Sequence, residues 1–239
     1  MGPLPGWKVV VVGVVDEEGQ SRGARYVCDQ YRPDYAIIGE PSQWDRVTLG
    51  YKGSASVEIT VNRPKTHSAS DIENAPEAAF SLWGRILEMA SEFNHERTRL
   101  FDQLTPGLQA FSSRDDGFES SATLQISTRL PPDLPPVIWY DRLKEISIPA
   151  GATVTPKGNA IPAYRADNAT PLERAFLGGI RSEGGTPRYV VKTGTDDLNI
   201  VAPVWMCPAL AYGPGDSSFD HTADENLPLA DYIRAVEVL

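Results

Sequence analysis

Histidine and cysteine are both scarce in this sequence. Its 239 residues include three histidines, His67, His95 and His221, and two cysteines, Cys28 and Cys207. Cys28 falls in a predicted helix and Cys207 in a predicted buried strand. Both are therefore expected to be reduced core residues and not a disulfide, as is usual in the cytoplasm. His95 lies among polar residues at a predicted helix end, and we expect it to be solvated.

Basic residues are also in the minority. The chain has 22 Lys and Arg against 32 Asp and Glu, which gives a net charge of −10, so the overall basic footprint expected for nucleic acid is absent. No signal peptide, basic leader or membrane-length apolar stretch is found. A phosphate-binding loop, a nucleophile elbow and a Cys-x-x-Cys pair are also missing. A soluble globular protein without nucleic-acid or membrane partners is therefore expected.

The most apolar run of the chain ends in three consecutive acids. Residues 9–15 are valines with a single glycine, a pattern typical of a strand buried on both faces of a parallel sheet. Asp16, Glu17 and Glu18 follow, at the strand end where open α/β sheets bind ligands. A metal ion would hold these repelling carboxylates ionised, with one as ligand and its neighbour as base. A solvated acidic turn is the alternative, and this motif alone does not decide.

Two further predicted strands end in potential metal ligands. Residues 34–39 lead into Glu40, and residues 207–212 lead through a Gly-Pro-Gly-Asp turn to His221. Carboxylate and imidazole side chains at three strand ends favour a metal site over a coincidence. His221 is accordingly a candidate ligand, with a plain loop histidine as the alternative.

The middle of the chain has a different pattern. Residues 54–61 and 121–130 alternate apolar and polar side chains, as half-buried antiparallel strands do, and a stretch of helical spacing lies between them. Residues 50–160 are therefore predicted to form an α+β domain inserted into an α/β domain of residues 1–49 and 161–239. The predicted fold class is α/β, with a partial mixed or parallel sheet that carries the metal site.

A polar turn at residues 193–199 is rich in hydrogen-bonding groups, including Thr195 and Asn199. Such a turn can cradle the polar atoms of a substrate, but it is also common as an ordinary loop, and spacing does not decide. His67 follows the first strand of the inserted domain. By itself it would be a surface or capping histidine.

Together these motifs resemble the dinuclear zinc amidohydrolases and exopeptidases, a family that includes acetylornithine deacetylase, succinyl-diaminopimelate desuccinylase and carboxypeptidase G. The motifs that carry the resemblance span the chain and lie at residues 16–18, 39–41, 50–53, 66–68 and 221–222. Residues 192–199 and 212–218 are most similar to the branch that releases lysine or ornithine from an amino-carrier protein, also described as acetyl-lysine deacetylases.

The resemblance implies a role for each acid at the predicted metal site. Glu17 would be the general base that activates the attacking water. Glu18 and His221 would ligate one zinc ion and Glu40 the other, with cobalt as a possible replacement. The resemblance also implies an acidic carrier protein, or an amino-protected lysine or ornithine, as the substrate partner in lysine or arginine biosynthesis.

The resemblance further implies that the inserted domain is a lid through which two copies form a homodimer. His67 on this lid would be catalytic and would stabilise the oxyanion, usually from the partner subunit. Arg129 would bind the carboxylate of the substrate, and Thr195 and Asn199 would contact the substrate from their loop.

The sequence departs from the family in one respect. The family also has a His-x-Asp motif and a later bridging Asp, on strands that precede the acidic triplet, and no histidine here is followed by Asp at that spacing. The chain is therefore expected to be a fragment, a mis-started frame or a degenerate homologue, and the retained acids favour a fragment of an active enzyme. The alternatives are a dipeptidase or aminoacylase of the same family, or a non-catalytic dimerisation protein.

Overall fold

The strands of the computed structural model form two separate sheets. The structure describes residues 5–65, 67, 72–167 and 169–239. The strands among these residues are β1 (Ala36–Ile38), β2 (Arg46–Tyr51), β3 (Gly53–Pro64), β4 (Thr105–Asp115), β5 (Glu119–Leu130), β6 (Ala152–Ile161), β7 (Tyr164–Arg165), β8 (Arg188–Lys192) and β9 (Ala209–Ala211).

Helices connect and cover these strands. They are α1 (Arg22–Gln30), α2 (Ala75–Asn94), α3 (Pro136–Ser147), α4 (Pro171–Ser182), α5 (Leu198–Trp205) and α6 (Leu229–Val238), with one 3-10 turn at Leu100–Asp102. α2 begins with a capping box, in which Asn74 and Glu77 each accept a hydrogen bond from the other's backbone N–H. This reciprocal pair satisfies N–H groups that the first helical turn leaves unbonded. No helix of the described residues is both long and apolar enough to cross a membrane.

The first sheet is mixed. Its order is β1-β9-β2-β7, with β8 also paired to β2. β1 is parallel to β9 and β2 is parallel to β8, but β2 is antiparallel to β9. β8 therefore runs in the opposite direction to β1. The mixed sheet with flanking helices confirms the predicted α/β fold class.

The second sheet is antiparallel, with the order β4-β5-β3-β6. The apolar positions of β3 that alternation predicts to face the core are all buried: Ala55, Val57, Ile59 and Val61. Leu82 and Ile86 of α2 and Trp139 of α3 belong to the same cluster. The sheet runs from Gly53 to Ile161, close to the insertion predicted at residues 50–160, although the domain boundaries themselves stay a prediction.

Residues 9–15 do not form the predicted buried strand. They are in no ladder of the described residues, and each of their valines is exposed, with Val11 at 93%. The ring of Trp7, before this segment, packs against Tyr35 just before β1 at a centroid distance of 5.6 Å. β1 pairs only with β9 among the described strands. The prediction was wrong because the apolar pattern supplies hydrophobicity, while a strand also needs a hydrogen-bonding neighbour.

Other local differences have similarly simple causes. Ser21 occupies the N-cap position of α1 and is a residue type that often caps helices, but it has a left-handed backbone and its side chain does not cap the helix. Strands β4 and β6 were not predicted from the sequence. Both lie at the edges of the second sheet and are mostly exposed, so their side chains lack the strict alternation that burial of one face produces.

The exposure of residues 9–15 can be tested by introducing a charge. Val11→Lys should change the free energy of unfolding by no more than about 0.5 kcal/mol, as is usual for surface substitutions. Urea denaturation followed by tryptophan fluorescence measures this. The matched control is Val57→Lys in β3, where Val57 is 1% exposed. Burial of an unpaired charge there should cost more than about 3 kcal/mol. Equal losses of unfolding free energy in the two variants would show that residues 9–15 are buried, as the sequence pattern predicts.

Candidate metal centre

A tight turn after residues 9–15 positions Glu17. Asp16 has a left-handed backbone with φ of 68°, and its carbonyl oxygen accepts hydrogen bonds from Gly19 N and Ser21 N. Its carboxylate accepts a hydrogen bond of 2.8 Å from Arg22 Nε, which lowers the pKa of Asp16. Asp16 is thus committed to the turn. Glu17, which is partly buried like Asp16, is the acid of the three that lies in the group of converging carboxylates.

Glu40 follows the end of β1, at an edge that β9 shares. Because β1 and β9 are parallel, Glu40 and Gly213 leave the sheet on the same side. A Cβ atom at Gly213 would lie 2.8 Å from Glu40 O, so only glycine permits this approach. Tyr212 N donates to Ile38 O at 2.9 Å and Ser42 N donates to Gly213 O at 2.9 Å. These bonds fix the loop that carries Glu40.

Asp196 enters the site from the turn between β8 and α5. Its Oδ1 accepts a hydrogen bond of 2.7 Å from Leu198 N, and its N–H donates to Asn199 Oδ1 at 3.1 Å. Asn199 N in turn donates to Asp196 O at 3.0 Å. This reciprocal bonding locks the start of α5. The sequence predicted no role for Asp196 itself, although Asp196 lies in the polar turn of residues 193–199.

Three carboxyl groups converge as a result: Glu17, Glu40 and Asp196 offer oxygens that all lie within 4.8 Å of one another. Burial, with the nearby charges of Glu40 and Glu18, raises the pKa of Glu17 to about 7. Burial and the charge of Asp196 raise the pKa of Glu40. Burial is also the main cause that raises the pKa of Asp196. The site therefore resists carrying three negative charges unless a proton or a cation compensates them.

The donor set fits a divalent metal ion. Asp196 Oδ2 and the hydroxyl of Tyr51 are both buried without a hydrogen-bond partner among the described residues. Lys192 is the cation that lowers the pKa of Glu40, but its ammonium donates to Pro41 O. A bound metal ion would neutralise the carboxylates and supply a Lewis acid at this edge of the sheet.

Glu18 and His221, the predicted ligands of one zinc ion, lie beside this group. Glu18 Oε2 and His221 Nε2 are 3.6 Å apart, and both side chains are largely exposed. Neither belongs to the group of three carboxylates. The structure thus places Glu18 with His221, and Glu40 with Glu17 and Asp196, and the ligand roles themselves stay predictions.

The predicted substrate residues form a link between the two sheets. Arg129 Nη1, from β5, donates to Thr195 Oγ1 at 2.7 Å, and Thr195 Oγ1 donates to Lys52 O at 2.9 Å. Asn199 Nδ2 donates to Pro162 O at 2.9 Å. Asn199 is buried, and its side-chain amide is used in hydrogen bonds to the backbone. The structure therefore shows a structural use for these groups, while their contact with substrate stays a prediction.

His67 has an exposed position. Its neighbours at residues 66 and 68–71 lie outside the described part of the chain. The oxyanion role expected for His67 is therefore still a prediction.

Lys52 lies where the chain passes from β2 into β3. Its side chain is buried, and its ammonium donates to Leu100 O at 3.0 Å, Gln103 O at 2.5 Å and Thr105 Oγ1 at 2.9 Å. Its backbone N–H donates to Lys192 O at 3.1 Å. One residue thus bonds to both sheets. Burial, with the nearby charge of Arg129, lowers the pKa of Lys52 to about 8.

The structure thus has a mixed α/β sheet with a partly buried group of three carboxylates at one edge. The sequence matches the description Peptidase family M20/M25/M40 over residues 2–239, and the chain belongs to this family. The chain is 41% identical to the [LysW]-lysine hydrolase of Deinococcus radiodurans, over 97% of its own length and 65% of the relative's. It is 27% identical to the [LysW]-lysine/[LysW]-ornithine hydrolase of Sulfurisphaera tokodaii, over 98% and 67%.

Solved structures agree with this fold. The M20 family metallo-carboxypeptidase Sso-CP2 from Sulfolobus solfataricus superposes with a TM-score of 0.71 at 16% identity, over 93% of this chain and 67% of that one. The aminopeptidase PepT from Bacillus cereus gives a TM-score of 0.71 at 14% identity, over 94% and 61%. At such identities the likeness shows the fold alone. The family resemblance inferred from the sequence motifs is confirmed.

Replacement of the buried ammonium tests the link at Lys52. Lys52→Met keeps the length of the side chain but leaves the carbonyl oxygens of Leu100 and Gln103 without their donor. Each buried unsatisfied group costs about 1–3 kcal/mol, so we expect the free energy of unfolding to fall by at least about 2 kcal/mol at pH 7. Chemical denaturation measures it. Lys157→Met, at an exposed lysine paired with Glu58, is the control and should change it by less than about 1 kcal/mol.

The pH dependence gives a second measurement on the same variant. The folded state releases the Lys52 proton near pH 8, below the ordinary lysine value of 10.5. Between these values the unfolded state binds more protons, so the wild-type free energy of unfolding should rise with pH relative to Lys52→Met. A difference between wild type and variant that stays constant over this range would contradict the lowered pKa.

Proposed function

We propose that the protein containing this chain hydrolyses the amide bond that joins lysine or ornithine to an amino-carrier protein, the LysW of its relatives' names. The relative at 41% identity carries that activity in its name. Because the chain spans 65% of that relative, the activity is proposed for the whole protein. It would serve lysine or arginine biosynthesis in the cytoplasm.

The grouping of Glu17 with two other carboxylates is the observation that carries this proposal. Hydrolysis adds the hydroxyl of water to the carbonyl carbon and the remaining proton to the leaving nitrogen. A general base works best when its pKa is near the working pH, and burial raises the pKa of Glu17 to about 7. Glu17 can thus accept a proton from water at neutral pH and return it to the amine.

The remaining parts of the site suit such a substrate. We propose zinc, with two ions in a complete site and cobalt as a possible substitute, held by Glu18, Glu40 and His221 as the family resemblance implies. A metal ion supplies positive charge that stabilises the oxygen of a tetrahedral intermediate. Arg129, held by Thr195 at 2.7 Å, offers a guanidinium for the carboxylate of the released amino acid.

Substitution of the base tests this function in the full-length protein. Glu17→Gln removes the proton acceptor and keeps the size of the side chain. Turnover of carrier-linked lysine should fall by roughly 10²–10⁴-fold, the usual contribution of a general base, with the metal content unchanged. The measurements are release of free lysine and elemental analysis on the same samples.

Glu18→Gln is the matched control, because it changes the neighbouring acid in the same way. This variant should bind the metal ion more weakly, while the fraction of enzyme that still holds the metal should keep its rate of hydrolysis. Dipeptides and acetylated amino acids serve as competing substrates. If dipeptides or acetylated amino acids are turned over faster than carrier-linked lysine or ornithine, the protein is a dipeptidase or an aminoacylase and the proposed function is wrong.

We also propose that the protein is a homodimer joined through the second sheet and α2. Two apolar side chains of α2, Phe80 and Leu87, are 54% and 44% exposed. They are seven residues apart and so lie on the same helix face. The outer edge of β4 is unpaired among the described strands. An apolar helix face beside an open sheet edge is a surface that a second copy can cover.

Light scattering after size exclusion tests the dimer. Wild type should have the mass of two chains, and Phe80→Lys combined with Leu87→Lys should shift it to one chain, because buried unpaired charges oppose association. Glu88→Lys, on the same helix, is the charge-matched control and should remain dimeric. A wild-type monomer at high concentration would contradict the proposal.

A further inference from the structure

The strand β8 forms an edge of the first sheet. It pairs with β2 alone among the described strands, in a parallel ladder that aligns Arg188 with Arg46. Its other side is therefore a row of backbone groups that no described strand covers. Such an edge can accept a further strand, and several peptide-recognition domains bind an extended segment of another polypeptide in this way.

The hydrogen bonds of β8 show which of its residues face outward. Arg188 N donates to Asp45 O at 3.1 Å. At the other end of the strand, Lys192 O accepts from Lys52 N at 3.1 Å. In a strand, the N–H and C=O of one residue point to the same side, and those of the next residue point to the opposite side. Val191, one residue before Lys192, therefore directs its N–H and C=O to the outer edge.

A small cavity lies beside this strand. It has a volume of about 200 Å³ and is lined mainly by polar residues: Ser42, Gln43, Arg46, Lys192, Asp216 and Ser217. Arg46 Nε is buried without a hydrogen-bond partner among the described residues, because Asp45 Oδ1, at 3.8 Å, is too far away to accept one. The ammonium of Lys192 donates to Pro41 O and has two further donors. The cavity wall thus holds donors on two cations.

The charges of this cavity suit an acidic side chain. Among the described lining residues Asp216 is the one acid, and its oxygens already accept hydrogen bonds from Gln43 Nε2 at 2.6 Å and from Ser218 N at 2.9 Å. The donors of Arg46 and Lys192 can therefore turn to a ligand. The chain as a whole has a net charge of −10, so it repels acidic partners, and two cations beside an edge strand would direct such a partner to this place.

We propose that β8 and this cavity are a docking site for the carrier protein, in which an extended segment of the carrier pairs with the outer edge of β8 and one of its acidic side chains enters the cavity. This rests on the proposed function, in which the released amino acid is attached to a protein. The candidate site of cleavage is near, because β8 ends at Lys192 and Asp196 of the carboxylate group follows four residues later. Backbone pairing supplies affinity, and the cavity selects for an acid.

Binding of the free carrier protein to the 239-residue chain tests the docking site without any assay of hydrolysis, and titration calorimetry measures it. Val191→Pro removes the outward N–H, and an edge strand tolerates proline where its N–H faces solvent. We expect binding to weaken by at least about fivefold, because a backbone hydrogen bond is lost and the proline ring obstructs the added strand. Val191→Ala is the matched control, since it keeps the N–H, and it should change the dissociation constant by less than about twofold.

Arg46→Gln tests the cavity, because it keeps a polar side chain and removes the positive charge. It should weaken carrier binding by about 10-fold at low salt, the effect of losing a hydrogen bond between charged groups, and binding should then depend less on salt than in wild type. Arg181→Gln, at an exposed arginine of α4 outside the cavity, is the control and should stay within about twofold. Equal losses in the two variants would overturn the role of the cavity.

Kinetics of the full-length protein separate failure of the docking site from failure of the proposed function. Val191→Pro should lower kcat/KM for carrier-linked lysine by at least about fivefold, mainly through a higher KM, because the variant loses the same backbone hydrogen bond. If wild type and Val191→Pro hydrolyse carrier-linked lysine equally well, the docking site is wrong and the function stands. If wild type binds the carrier but does not hydrolyse carrier-linked lysine, the function is wrong and the docking site stands.

Hydrogen exchange of the wild-type chain gives a measurement that needs no variant. The amide N–H of Val191 should exchange more slowly when the carrier is bound, because hydrogen-bonded amides are protected. Unchanged exchange at saturating carrier would overturn the proposal, even if Val191→Pro does not fold. A second copy of the chain is the rival occupant of the β8 edge. If Val191→Pro halves the mass that light scattering measures, this edge is an interface between two copies and the proposal is overturned.

Discussion

Mutual repulsion among Glu17, Glu40 and Asp196 is the constraint on which the site depends. The fold holds their oxygens within 4.8 Å of one another in a partly buried space, where charges are weakly screened. Such an arrangement persists only when the surrounding structure is rigid enough to enforce it. It also favours whichever positive species enters. Burial, together with the charges of Glu40 and Glu18, raises the pKa of Glu17 to about 7, where a carboxylate can exchange protons with water at neutral pH.

Backbone hydrogen bonds supply that rigidity. The turn at Asp16 uses its own carbonyl and carboxylate to close on itself, and the loop of Glu40 is bonded to the strand beside it through Ser42 and Gly213. Most of the bonds that hold these two loops are donated by backbone N–H groups. Each carboxylate comes from a different loop. The sheet and α5, and not a single mobile segment, therefore keep the three carboxylates close together against their repulsion.

Much of the second sheet could be predicted from the sequence, because burial of one face imposes alternation on β3 and β5. The exposed edge strands carry no such pattern. The prediction for residues 9–15 failed in the opposite way, because a strand was predicted there and none is formed. An apolar run does not specify a hydrogen-bonding neighbour. At the site, Glu40 could be found because an acid after a strand was expected at the edge of the sheet, and Glu17 because it lies in a triplet of acids, although the run before that triplet is not a strand. Asp196 could not, because β8 runs against β1 and the shared-edge argument does not apply to it.

The turn that carries Asp196 also joins the two sheets. Thr195, the preceding residue, receives a hydrogen bond from Arg129 of the second sheet and donates one to Lys52 O at the crossing between sheets. Asn199, at the end of the same turn, donates to Pro162 O, on the return crossing. Thr195 and Asp196 are adjacent in the chain, so the turn that places Asp196 among the carboxylates also holds the hydroxyl that accepts the hydrogen bond from Arg129. A shift of Asp196 within the group of carboxylates would therefore also displace a link between the two sheets.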